Sequence, residues 1–265
     1  MLETLSSPFM QKAFVAGILV SILTGLISVF IVLRKMSFVG AGISHAAFGG
    51  IAIGFFSGLN PLFTGIIYSV FIAVGIEATR RKGKISEDVS IGIFYSVSMA
   101  LGVALISLSN SYNVDLFGYL FGSILAITSE DILLTVITFI VVSGFIAIFL
   151  KELFLSTYNE EIAQTSGVPV VLLNQLFLVA LAVSIVISIR VVGIILVSAL
   201  LVLPGATARL YAKGLLSMLF FSCLAGVVSV IAGLFLSYEY DIAPGACIVL
   251  VSAFIFFLSL VLKRK

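Results

Sequence analysis

The chain is dominated by long apolar runs of about 20 residues, the length that an α-helix needs to cross the hydrocarbon core of a bilayer. Only 10% of its 265 residues are charged, against roughly 25% in a soluble globular domain. Nine approximate spans follow from the runs and the polar breaks between them: 11–33, 37–58, 61–79, 89–109, 130–150, 170–189, 191–207, 214–236 and 244–262. We therefore predict an all-α, polytopic integral membrane helical bundle of about eight or nine transmembrane helices.

The span 191–207 is the least regular, because Arg190 leaves almost no loop before it and Pro204-Gly205 interrupts it. It is predicted to be bent or partial, and eight full spans remain an alternative. The stretch Val114–Ile127 is apolar but short, which is typical of an interfacial or re-entrant segment. Phe14–Leu33 is expected to be a retained span rather than a cleaved signal peptide, and residues 1–265 a single transmembrane domain.

Positive charges indicate the orientation of the spans. Twelve of the fourteen lysines and arginines fall in five segments: Arg34-Lys35, Arg80–Lys84, Lys151, Arg209 with Lys213, and Lys263–Lys265. With nine spans all five lie on one side, which the positive-inside rule makes cytoplasmic. Asp115, Glu239 and Asp241 then lie outside, as does the N-terminus, whereas the C-terminus lies inside. Eight spans would break this agreement unless one run is re-entrant.

His45 is the only histidine and stands on the second span. It follows the Lys35–Met36 boundary by nine residues, or about 13 Å, and is therefore expected near the middle of the membrane. Neutral imidazole is a good ligand for zinc or manganese, but a hydrogen bond to another helix is equally compatible with this position. Small residues on either side favour tight helix packing or a passage lined by backbone: Gly40, Gly42, Ala46, Ala47, Gly49, Gly50 and Gly54.

The polar loop Leu155–Val170 contains the features of a short capped helix, at about residues 157–168. Asn159 is a suitable N-cap, and Glu160 and Glu161 in the first turn favour the helix dipole. Gly167 is suited to end the helix. Such a helix on the cytoplasmic side either docks into a partner protein or is an ordinary surface helix.

Other polar residues carry weaker signals. Arg190 is expected to be a helix-end anchor rather than a gate. Glu239 and Asp241 precede the last span, where carboxylates attract cations or are simply solvated. The pair Glu87-Asp88 is expected to act as a cap and dipole partner, and Cys223 and Cys247 as small apolar side chains.

The sequence contains no phosphate-binding loop, zinc-protease motif or nucleophile elbow. Any active transport must therefore draw its energy from another chain or from an ion gradient. A gradient-driven transporter usually has intramembrane carboxylates, and Glu77 is the nearest candidate although it is poorly placed. No basic stretch interleaved with aromatics indicates a nucleic-acid partner.

Five blocks of the chain, in order, resemble the family of ATP-binding-cassette permeases for zinc and manganese, often called the ABC-3 family. The blocks are residues 34–50 (RKMSFVGAGISHAAFGG), Glu87–Ser107, Asp115–Asp131, Val191–Leu210 and Ser237–Val249. The short helix Asn159–Gly167 is similar in position and composition to the coupling helix of that family.

The resemblance implies the membrane-spanning subunit of an ATP-driven importer in the plasma (inner) membrane of a prokaryote, with no covalently bound cofactor and no catalytic activity of its own. It implies three partners: a second copy of the chain, a cytoplasmic ABC ATPase that uses ATP, and an extracytoplasmic metal-binding protein. Coupling to the ATPase would involve Asn159, Glu160, Glu161, Ala163 and Gly167. The transported zinc or manganese would contact His45 and Asp241, with Glu239 and Asp241 at the point where the ion enters.

One position departs from the family pattern. Family members commonly have an aspartate four residues before this histidine, and here that residue is Ala41. Loss of a hard oxygen ligand favours zinc over manganese. Two other functions remain as alternatives: a secondary transporter or channel driven by ion gradients, and an ABC permease for iron chelates or siderophores.

Overall fold

The computed structural model describes residues 8–108 and 127–263, and over these ranges the chain forms twelve α-helices. They are α1 (Pro8–Leu33), α2 (Val39–Ser57), α3 (Pro61–Gly83), α4 (Glu87–Leu108), α5 (Ser129–Ile148), α6 (Leu150–Tyr158), α7 (Glu160–Thr165), α8 (Val170–Val192), α9 (Ile194–Leu200), α10 (Leu203–Tyr211), α11 (Leu215–Tyr240) and α12 (Pro244–Lys263).

The nine spans predicted from the sequence are confirmed over the described ranges, since nine segments there are long and apolar enough to cross a membrane. The third and eighth spans run about four residues further than expected, to Gly83 and Tyr240. Helix α6 was not predicted, because residues 150–158 were divided between a span and a polar loop. The apolar stretch 114–127 lies outside the described residues except for Ile127, which is buried.

The seventh span is interrupted, in agreement with the bent or partial helix expected from the sequence. Helices α9 and α10 together form it, and the helix is interrupted at Leu201-Val202. Pro204 lies two residues after Val202 and has no N–H to bond to the preceding turn. The N–H of Gly205 instead donates to Ser28 Oγ of α1 at 2.9 Å, so the interrupted backbone finds a partner on a neighbouring helix.

Helices α1, α2 and α8 form the buried centre of the bundle. Helices α5 and α12 are mostly exposed and apolar, as expected of lipid-facing helices, and α4 is mostly exposed as well. The small residues of α2 serve close packing. Gly42 contacts Ile91, and a Cβ on Gly49 would lie 2.7 Å from the carbonyl oxygen of Ser98, so α4 approaches α2 backbone to backbone. Because Gly49 is buried, tight packing is the better interpretation at this position.

Side-chain contacts identify the two ends of the bundle. At one end, Arg34 Nε donates to Thr157 Oγ1 at 3.1 Å, and Arg80 lies 3.6 Å from Glu160. At the other end, Lys12 donates to Ser129 at 3.2 Å. The basic segments around Arg34 and Arg80 therefore meet at the end that also carries α6 and α7. We call this the basic end, and the other the opposite end.

Candidate functional site

His45 is the seventh residue of α2, because residues 35–38 form a turn and the helix begins only at Val39. The side chain therefore lies about 9 Å along the helix from its start. The sequence-based depth of about 13 Å was too large, because it counted the turn residues as helix. His45 lies in the half of α2 nearer the basic end.

A cavity of about 370 Å³ lies beside His45, between α2 and the first turns of α4. The Tyr95 ring meets the imidazole edge-to-face at 5.2 Å between ring centres. His45 Nδ1 is buried and has no hydrogen-bond partner among the described residues. The hydrogen bond to another helix that was considered from the sequence is therefore not made by this nitrogen. Eight residues line the cavity: Phe38, Ala41, Gly42, His45, Asp88, Ile91, Gly92 and Tyr95.

Two residues, Ala41 and Asp88, determine which ligand atoms besides the imidazole are available to a cation in this cavity. Ala41 lies one helical turn before His45, and its methyl group adds no ligand atom. Asp88, which the sequence suggested was only a dipole partner of α4, supplies a carboxylate to the lining of the same cavity. Imidazole and carboxylate together suit zinc or manganese. The sequence alone did not indicate that these two residues share a cavity, since 43 positions separate them.

The short helix in the 155–170 loop is present as predicted. Asn159 Oδ1 accepts hydrogen bonds from the N–H groups of Glu161 at 2.9 Å and Ile162 at 3.1 Å, which caps α7. Gly167 follows the helix with φ +83°, a left-handed conformation that glycine adopts without strain. Ala163 is completely buried, so α7 lies directly against the bundle.

The two glutamates of α7 have different surroundings. Glu160 Oε1 accepts a hydrogen bond from Asn174 Nδ2 of α8 at 3.2 Å and lies 3.6 Å from Arg80 Nη2 of α3. Glu161 is exposed and has no ion pair with any described residue. Glu160 therefore holds α7 to the bundle, and Glu161 belongs to the outward surface, together with Ile162, which is 48% exposed.

Glu239 and Asp241 lie at the opposite end of the bundle, in the lining of a cavity of about 610 Å³ between α1, α11 and α12. Asp241 follows the last residue of α11 with φ +54°. Ser237 Oγ donates to the carbonyl oxygen of Ile242 at 2.6 Å, which closes the turn that contains Asp241. Carboxylates at the mouth of such a cavity attract cations.

His45 and Asp241, the two predicted metal contacts, are not brought together. They line different cavities, nearer opposite ends of the bundle, so they cannot ligate one ion at the same time. Over residues 8–108 and 127–263 no group of three or more His, Cys, Asp or Glu side chains is arranged to hold a metal.

The structure gives Arg190 a partner that the sequence did not reveal. Its Nε lies 2.8 Å from Asp131 Oδ1, and Asp131 is only 6% exposed. The other carboxylate oxygen of Asp131 accepts from the N–H and hydroxyl of Thr128, which caps α5. Arg190 is therefore at a helix end, as predicted, but it ties α8 to α5.

Glu77 is not an available carboxylate. It is 1% exposed and accepts two hydrogen bonds from Arg80, at 2.9 and 3.0 Å. An ion-gradient transporter needs a carboxylate that exchanges ions with water, and a buried group held by a guanidinium is a poor one.

The likeness to known proteins extends over almost the whole chain. The model of the ABC 3 transport family matches residues 6–263. The chain belongs to the ABC 3 transport family. The manganese transport system membrane protein MntC of Listeria monocytogenes is 38% identical over 257 residues, which is 97% of this chain and 91% of that protein. The high-affinity zinc uptake system membrane protein ZnuB of Haemophilus influenzae is 33% identical over 96% of this chain and 97% of its own length.

A solved structure supports the fold. The structure of PsaBC from Streptococcus pneumoniae in complex with Fab contains a chain that superposes with a TM-score of 0.86 at 37% sequence identity. The match covers 97% of this chain and 93% of that one. The resemblance deduced from the five sequence blocks is thereby confirmed, and so is the all-helical permease fold.

Proposed function

We propose that this ABC 3 family member is the membrane-spanning permease subunit of an ATP-driven importer for zinc or manganese. The observation that carries the proposal is the family match over residues 6–263, on a chain whose nine spans account for most of its described length. In this proposal residues 1–265 form a single permease domain in the plasma membrane of a prokaryote, and ATP is hydrolysed by a partner rather than by this chain.

The cytoplasmic ATPase docks at the basic end, on α7. Three features support this surface: the helix is capped at both ends by Asn159 and Gly167, it is seated on the bundle through Ala163, and it presents Glu161 and Ile162 outwards. A short helix that is fixed at both ends and seated on a buried residue can pass a push from a partner to the bundle. A helix in a loose loop could not.

The extracytoplasmic metal-binding protein delivers the ion at the opposite end. Glu239 and Asp241 then lie at the mouth where the ion enters, and their cavity of about 610 Å³ provides room for a hydrated cation. Their negative charges raise the local cation concentration before the ion moves into the bundle.

The ion passes His45 on its way towards the cytoplasm. The His45 imidazole lines the cavity and offers one nitrogen ligand, and the cavity continues towards the basic end to Asp88. Asp88 thus supplies, nearer the cytoplasm, the carboxylate that Ala41 does not. A sparse set of ligands holds the ion weakly at each point, which suits release rather than storage.

A second copy of the chain covers the α2–α4 face on which the His45 cavity opens. This face carries polar and small groups that lipid would not solvate well: Asp88 and Ser96 are exposed, and nothing lies within 4 Å of a Cβ on Gly92. In a dimer two such faces would enclose one route, with a histidine from each protomer.

The role of His45 is tested by H45A and H45N in the complete complex with its ATPase and binding protein. We expect both variants to assemble normally and to lower metal uptake about tenfold or more, since second-sphere changes alone cost 10–100-fold in metal sites. Asparagine conserves polarity and much of the volume. Wild-type uptake by H45N would therefore assign His45 to packing and contradict the proposed route.

A further inference from the structure

A buried ion pair lies at the basic end of α3. Glu77 is 1% exposed, and Arg80 one turn later donates to both of its carboxylate oxygens, from Nε at 3.0 Å and from Nη2 at 2.9 Å. A carboxylate at this depth is costly without a partner, and the two-bond geometry also fixes the plane of the guanidinium. The Arg80 side chain is therefore held in one orientation by its own helix.

In that orientation the same guanidinium reaches α7. Arg80 Nη2 lies 3.6 Å from Glu160 Oε1, and this oxygen also accepts a hydrogen bond from Asn174 Nδ2 of α8 at 3.2 Å. Asn174 is itself buried, with 6% exposure. Arg80 and Glu160 thus join three elements: α3, α7 and α8.

Helix α3 in turn packs closely on α2, the helix that carries His45. A Cβ on Gly50 of α2 would lie 2.6 Å from Tyr68 Cβ and 2.9 Å from Gly65 Cα, so the two helices touch along their backbones. Packed helices move as bodies rather than deform continuously. A displacement of α7 that is transmitted to α3 is therefore passed to the wall of the His45 cavity.

We infer that Arg80 is a positioning residue that links α7 to the transport helices, through its contacts with Glu77 on one side and Glu160 on the other. The inference rests on the proposed docking of an ATPase to α7. It assigns the two adjacent glutamates different tasks: Glu161 contacts the partner, and Glu160 transmits the partner's movement to α3.

The test removes the link from each side in the complete complex with its ATPase and binding protein. E160Q removes the charge on α7 but retains an oxygen that can accept from Asn174. The double variant E77M/R80M removes the link from α3, and because both partners change together no charge is left buried alone. The readouts are copurification of the ATPase and metal ions transported per ATP hydrolysed.

We expect both variants to copurify with the ATPase as wild type does, and to transport about fivefold fewer ions per ATP. The combined variant E77M/R80M/E160Q should transport about as many ions per ATP as either variant alone, because the same link is lost in each. The inference would be overturned if E160Q and E77M/R80M transported as many ions per ATP as wild type. It would also be overturned if the two losses of transport multiplied in the combined variant, or if neither variant copurified with the ATPase.

A matched control separates this inference from the proposed function. E161Q, one residue away on α7, should weaken ATPase copurification while the complexes that remain transport a normal number of ions per ATP. If the wild-type chain binds no ATPase, the proposed function fails whatever Arg80 does. If the wild type couples transport to ATP hydrolysis and E160Q and E77M/R80M transport as many ions per ATP as it does, only the link through Arg80 is refuted.

Discussion

The cap of α7 provides a graded test of the docking surface. Asn159 Oδ1 accepts from two backbone N–H groups, at 2.9 and 3.1 Å. Helix α7 has only six residues, far fewer than an isolated helix needs for stability in water. Its order therefore depends on this cap, on the burial of Ala163 and on the hydrogen bond from Asn174 to Glu160, which E160Q and E77M/R80M both retain.

Replacing Asn159 by alanine removes both bonds. Loss of an N-cap costs about 1 kcal/mol, within a range of roughly 0.5–2 kcal/mol. If the partner binds only the ordered helix, the affinity of the ATPase for the permease falls by at most the same free energy, about two- to thirtyfold with a central value near fivefold. N159D retains an acceptor and should bind as wild type, and N159G should lose only a few tenths of a kcal/mol.

The assay is a binding titration of purified ATPase against the permease in detergent or nanodiscs, for wild type and the three variants. Amide hydrogen exchange over residues 160–165 should be fastest in N159A, slower in N159G and slowest, close to wild type, in N159D. Equal ATPase affinity in N159A and wild type, with faster exchange in N159A, would refute the reasoning that an ordered α7 is the docking element.

Three further predictions concern separate parts of the chain. A41D places a carboxylate one turn from His45 in a cavity with room for it, and should raise manganese uptake relative to zinc in a competition assay. G49A should destabilise the protein by about 1–3 kcal/mol, since its Cβ would meet the Ser98 carbonyl, whereas G144A, with nothing within 4 Å, should melt as wild type. E161K should lower ATPase affinity without changing thermal stability, and unchanged affinity would exclude Glu161 from the interface.

Helix positions were predictable from the sequence because the bilayer imposes a length and a polarity on each span. The α7 cap was predictable for a similar reason, since Asn159, the two glutamates and Gly167 are local signals. The interruption of the seventh span was predictable from Pro204, which lacks an N–H. Helix α6 was missed because only Phe149 separates it from α5, and no proline or glycine marks that break.

Pairings between distant residues were not predictable. Arg190 with Asp131, Arg80 with Glu160, and His45 with Asp88 each join segments separated by 40 or more positions. Which charges meet depends on how helices rotate and pack, and apolar helices carry little sequence information about that rotation. The pairing of Glu77 with Arg80 could have been predicted from the sequence, because a spacing of three residues places both on one helix face.

We propose that this chain moves a metal ion only when an ATPase acts on it. The most direct measurement is uptake of zinc and manganese into liposomes that contain the permease alone, or the permease with its ATPase, the metal-binding protein and ATP. We predict uptake and metal-stimulated ATP hydrolysis only in the complete system. Full-rate uptake by the permease alone, driven by an ion gradient, would contradict the account.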